Sequence, residues 1–118
     1  MNTHLSRALA AGALLLGAGC GGPRSAADPA NAPCAGAAPS YRQDVAPLLQ
    51  RYCLGCHAAG GDAGEDHDFS RYEVLHAQSR SLQEELEALA MPPRDRPQPA
   101  GEERRLLARW ACWGAPDN

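Results

Sequence analysis

Residues 43–57, from Gln43 to His57, read QDVAPLLQRYCLGCH. Val45, Leu48, Leu49 and Tyr52 stand at i, i+3, i+4 and i+7, the spacing that gathers on one face of an α-helix. Asp44 is placed to cap the first turn, and Pro47 falls inside that turn, where a missing N–H costs little. The stretch therefore reads as an amphipathic helix that runs into Cys53, Leu54, Gly55, Cys56 and His57.

Those five residues form CxxCH, the attachment motif of a c-type haem. Two thiols three positions apart can add to the two vinyl groups of one haem, and the adjacent histidine can then reach the iron. Other readings of the pair fit less well. A dithiol redox pair belongs at the end of a strand in an α/β fold, and no strand is legible; a zinc site needs a second ligand pair at similar spacing, and there is none. Two inert cysteines beside an incidental histidine suit an exported chain poorly. The expectation is one haem c, held covalently by Cys53 and Cys56, with its iron on His57.

Downstream, short helices alternate with polar turns. Ser70 with Glu73 and Ser81 with Glu84 read as capping boxes, the first opening a short helix with Tyr72 and Leu75 inward, the second a helix with Leu82, Leu86 and Leu89 on one face. A last helix is expected from about Gly101 through Trp113. Glu102 and Glu103 occupy its positive end, Leu106, Leu107, Trp110 and Trp113 form its stripe, and Gly114 ends it. No segment alternates as a strand does, so the fold class is all-α, with three or four short helices.

Met91 is the one methionine besides Met1. Helical spacing continued from Leu82, Leu86 and Leu89 reaches positions 92 or 93, both proline, so Met91 lies off the core face where the helix must stop. Pro92 and Pro93 stiffen the segment, which suits a thioether presented to iron as the distal ligand. His67, in an acidic glycine-rich loop, and His76, on a short helix, are its rivals; a His/Met pair raises the reduction potential relative to His/His. Asp62, Glu65, Asp66 and Asp68 lack the alternation of a calcium loop and read as solvated surface. Arg94 and Arg96 read as a solvated loop, with guidance of an acidic partner or neutralisation of a haem propionate as the other reading.

Toward the N-terminus, MNTHLSRALAAGALLLGAGC carries Arg7, an apolar run from Ala8 to Ala18, and small residues before Cys20. Residues 1–19 read as an export signal, too short to span a membrane, which takes about 20 apolar residues. LLLGAGC resembles a bacterial lipobox, with Leu16 four rather than three residues before Cys20. Acylation of Cys20 would give a lipid anchor, and Gly21 in place of an aspartate would imply the outer membrane. Cleavage after Ala27 is the alternative, and it would discard Cys20. Residues 20–39 are rich in Gly, Pro, Ala and Ser and read as a flexible linker, spanning roughly 25 Å if about 20 residues long. Residues 40–118 are then the folded domain.

Composition agrees with a small domain built around something other than side chains. Of 118 residues 44% are hydrophobic, but much of that is alanine and only 5% are aromatic, so a core of side chains alone would be thin. The 11 basic residues, all arginine, against 14 acids give a net charge of −3, which argues against nucleic-acid binding.

The order QDVAPLLQRYCLGCH, FSRYEVL, MPPRD and EERRLLARWACWGAP resembles a family of short periplasmic cytochrome c domains of bacteria, over nearly all of residues 41–116. The resemblance implies helices wrapped around one covalent haem, the first and last packed together. It also implies Met91 on the distal side and Trp110 packed near the haem. Ala100 departs from the Thr or Ser that often caps the last helix there, a loss of about 1 kcal/mol in the cap.

Five cysteines are then accounted for: Cys20 for lipid, Cys53 and Cys56 for haem, and Cys34 with Cys112 left over. In an exported protein the leftover pair suggests a disulfide, with two free thiols as the alternative. The expected function is one-electron transfer between periplasmic redox proteins rather than enzymatic turnover. A haem-binding sensor, a haem enzyme with an open distal face, and an accessory haem subunit of a larger oxidoreductase remain as other readings.

Overall fold

Hydrogen bonding of the leading N–H groups sets where the first helical segment begins. In the computed structural model, which describes residues 34–118, Ser40 is the N-cap: its Oγ accepts from the Gln43 N–H at 3.3 Å. Asp44 is not the cap; its carboxylate reaches back to accept from the Ser40 N–H at 2.8 Å. The Tyr41 and Arg42 N–H groups donate to the side-chain oxygen and the carbonyl of Asn118, at 2.7 and 3.2 Å, and the Asp44 N–H donates to Ser40 O at 2.9 Å. The four donors that a helix start leaves open are thus all used. Tyr41–Val45 is a π-helical turn that continues directly into α1, Ala46–Tyr52.

A 3₁₀ turn at Glu65–His67 follows, then α2 (Tyr72–Ala77), α3 (Ser79–Glu87) and α4 (Gly101–Cys112). The described residues are helical and contain no strand, so the domain is all-α. Two further expected caps are corrected. Ser70 does not cap α2, whose N-cap is Arg71; its N–H and hydroxyl are taken by the buried carboxylate of Asp68. Ser81 lies inside α3, which starts two residues earlier and has Gln78 as its N-cap. At Ser70 a turn partner outcompeted the local capping pattern; at Ser81 the helix has already begun.

Helix α3 also ends earlier than its apolar spacing predicts. Leu89 takes φ +57 as the left-handed residue of a Schellman end, with Ala90 N–H bonded to Glu85 O at 3.0 Å. It is 57% exposed and so leaves the face on which Leu82 and Leu86 are buried. Helix α4 closes the same way, at Gly114 (φ +80), with Ala115 N–H on Trp110 O at 3.1 Å and Gly114 N–H on Ala111 O at 3.0 Å. At its start Glu103 accepts from the Ala100 N–H at 2.9 Å, but alanine has no acceptor to return, so half of the box is missing.

The core is formed by Val45, Leu48, Leu49, Phe69, Leu75, Leu82, Leu86, Leu107, Trp110 and small residues of α4. Helix α3 lies along α4, and the turn at 41–45 also packs on α4, where Tyr41 stacks on Trp110 with ring centroids 5.5 Å apart. Trp113, expected on the α4 stripe, is half exposed, and Leu106 is only partly buried. Residues 34–39, the last of the expected linker, form no regular element, and Cys34 is disulfide-bonded to Cys112 with Cα atoms 5.4 Å apart. No helix of the described residues is long and apolar enough to cross a membrane. The export signal and Cys20 lie outside the described residues.

Candidate functional site

The C-terminal end of α1 feeds directly into the motif. Cys53 and Leu54 N–H groups both bond to Leu49 O, at 2.8 and 2.9 Å, and the His57 N–H bonds to Cys53 O at 2.9 Å, so the chain keeps coiling through the two cysteines. Cys53 and Cys56 are free thiols, both half-buried. After His57 the chain doubles back tightly: Gly61 N–H bonds Ala58 O and Ala63 N–H bonds Cys56 O. A Cβ at Gly61 would stand 2.8 Å from the Cys56 carbonyl carbon and closer still to its oxygen, so this approach requires glycine.

Cys53, Cys56 and His57 lie on the wall of a cavity of about 560 Å³, within the range of cofactor pockets. Tyr52, Phe69, Leu82 and Leu86 line it from the core, and Met91, Pro92 and Pro93 enter from the loop between α3 and α4. The fold thus brings together, from two separate loops, four of the side chains singled out in the sequence. Trp110 is not among the lining residues. It is fully buried against Tyr41 with its Nε1–H donated to Pro116 O at 3.0 Å, so it supports the core behind the site.

His57 is held in one orientation and one tautomer. Its ring stacks on Phe69 at 4.4 Å between centroids and 6° between planes. Its Nδ1 lies 3.1 Å from the His67 carbonyl, which can only accept, so Nδ1 carries the proton and Nε2 keeps its lone pair for a metal. Gln78 in turn fixes that acceptor: its Oε1 accepts from His67 Nδ1 at 2.7 Å and its Nε2 donates to Asp66 O. His67 thus places its carbonyl at the Nδ1 edge of His57, away from Nε2, and also lines the cavity. His76 is off the cavity wall and donates to Ala115 O at 3.2 Å.

Chemistry of the donor set separates the readings of the cysteine pair. Burial pushes the Cys53 thiol up to about 11, with Arg104 pulling weakly the other way. A dithiol redox centre works through a thiolate of lowered pKa, the opposite of this environment. Among the described residues no three His, Cys, Asp or Glu side chains converge as a metal cage. The residues fit a haem instead: two thiols at the required spacing, one imidazole with Nε2 free, a thioether lining the same cavity, and apolar side chains to cover a flat ring.

Three residues that support the site were not singled out in the sequence. Gln78 is one. Arg104 and Gln98 are the others: Arg104 donates to Met91 O at 2.6 Å, Leu86 O at 3.3 Å and Gln98 Oε1 at 2.8 Å. Gln98 Nε2 donates to Pro92, Pro93 and Arg96 carbonyls at 3.2, 2.8 and 3.0 Å. Of the two loop arginines, Arg96 lines the cavity beside Asp95 and Arg94 does not. A scan of protein-family models and searches of curated proteins and of solved structures give no match to this chain.

Proposed function

We propose that residues 40–118 are a single-haem c-type cytochrome domain, cytochrome c-like in fold, that passes one electron at a time between periplasmic redox proteins. The observation that carries this reading is that Cys53, Cys56, His57 and Met91 all line one cavity, with His57 Nε2 left free. The two cysteines would hold the haem covalently, and His57 and Met91 would be the protein ligands of its iron. Bound there, the haem supplies a reversible one-electron iron couple.

The chain's own residues account for the rest of the task. Phe69 and the His67 carbonyl fix the His57 ring, which limits rearrangement when charge changes. Leu82, Leu86 and Phe69 keep water from the inner wall, while Met91, 37% exposed, lies toward solvent, where a partner can approach. The Cys34–Cys112 bond supports an oxidising compartment, in keeping with export and with lipid anchoring at Cys20.

The full chain, matured in a host that attaches haem c, tests the reading. The ferric protein is expected to show the long-wavelength absorption band of methionine-ligated haem, and Met91→Ala to lose that band while keeping its covalent haem. A wild type without the band would remove Met91 from the iron and favour the open-faced sensor.

A further inference from the structure

The loop from Ala88 to Ala100 contains Pro92, Pro93, Pro97 and Pro99, four residues with no N–H to give. Its carbonyls therefore have few backbone partners, with Arg96 N–H on Pro93 O at 2.9 Å a bond inside the loop. Two side chains serve the others. The Arg104 guanidinium, projecting from the first turn of α4, reaches Met91 O, Leu86 O and the Gln98 amide at once; Gln98 folds inward to hold Pro92 O, Pro93 O and Arg96 O. The tightest of these bonds lands on the backbone of Met91 itself, so a residue on the cavity wall is tied to α4 by a charged fork.

We propose that Arg104 and Gln98 are positioning residues that hold the Met91 thioether at the distal site, so that the strength of the iron–methionine bond is set by this clamp. The proposal rests on the cytochrome reading. A lysine cannot replace Arg104, because one ammonium nitrogen lacks the two-pronged geometry that bonds a carbonyl and the Gln98 amide together. Gln98→Glu keeps the acceptor for Arg104 but removes the donors to three carbonyls.

The test is imidazole binding to the ferric, haem-loaded full chain. An added ligand competes with Met91, so its apparent affinity rises in proportion to the fraction of protein with the thioether off the iron. Arg104→Lys is expected to tighten imidazole binding by about tenfold or more, the effect of losing on the order of one charge-assisted bond. Gln98→Glu, at an exposed position, is expected to shift it in the same direction, and it keeps the test open if Arg104→Lys matures poorly. Arg105→Lys, on the same helix, and the destabilising core change Leu75→Ala are expected to leave imidazole affinity within about twofold of wild type, since neither touches the clamp. Unchanged affinity in both clamp variants, or an equal rise in Leu75→Ala, would overturn the positioning role while leaving the haem reading intact. A wild type lacking the methionine band would instead remove both.

Discussion

Replacing Gly61 by alanine tests how tightly the chain must close behind the cysteine motif. The added Cβ would meet the Cys56 carbonyl, whose carbon lies 2.8 Å away and whose oxygen is nearer, and the Ala58 oxygen at 3.0 Å, all backbone atoms that cannot rotate away. Relief requires the 58–63 loop to move outward, which breaks the 3.1 Å bond from Ala63 N–H to Cys56 O. Overpacking costs about 1–3 kcal/mol and the lost bond about 1 kcal/mol more. For a domain of this size each kcal/mol shifts Tm by roughly 4–8 °C, so a fall of about 8–32 °C is expected. Gly55, between the two cysteines, has open space where a Cβ would stand and an ordinary φ, so Gly55→Ala serves as the control and is expected to stay within about 2 °C of wild type. Thermal unfolding of the matured proteins, followed by far-ultraviolet circular dichroism, reads both. A Gly61→Ala protein that melts with the wild type would refute the claim that this turn depends on backbone contact.

Leu89 holds a left-handed conformation and is 57% exposed, so Leu89→Gly is expected to raise the urea midpoint, by about 0.5–1 kcal/mol in stability; a lower midpoint would mean its side chain matters more than its backbone. Ala100→Ser supplies the missing acceptor for the Glu103 N–H and is expected to add about 1 kcal/mol in the same assay, with no gain counting against the half-formed cap. The Ala100 N–H, the Tyr52 hydroxyl and Arg51 together hold the Glu103 carboxyl below the usual glutamate range. A lowered native pKa gives stability that is full above the unfolded value, near about 4.3, and is lost as pH falls through the native value. Wild type and Glu103→Gln are therefore expected to differ most in Tm near neutral pH and to converge in acid; a gap that persists at low pH would show that the charge is not the cause.

How far the sequence foretold this arrangement depended on the range of each interaction. Val45, Leu48, Leu49 and Tyr52 repeat at helical spacing and were legible, and so was the placement of Leu107 and Trp110 on the inner side of α4, because burial follows periodicity. The helix starts were less so. Ser70 and Ser81 both precede a glutamate by three, but Asp68 captures the first and α3 begins before the second, and a local pattern carries neither fact. Leu89 matched the stripe in spacing yet fell where the backbone reverses. At the site, Cys53, Cys56, His57 and Met91 announce themselves by residue type. Arg104, Gln98 and Gln78 do not, since they act on backbone carbonyls brought near only when α4 and the loops have folded.

Covalent attachment of haem to Cys53 and Cys56 is the central claim, and intact-mass measurement of the matured, denatured chain tests it most directly. Wild type is expected to be coloured and heavier than its polypeptide by one haem, and a Cys53→Ala, Cys56→Ala double variant to have the bare polypeptide mass. A colourless wild type with the bare mass, from a host that matures other c-type cytochromes, would contradict it.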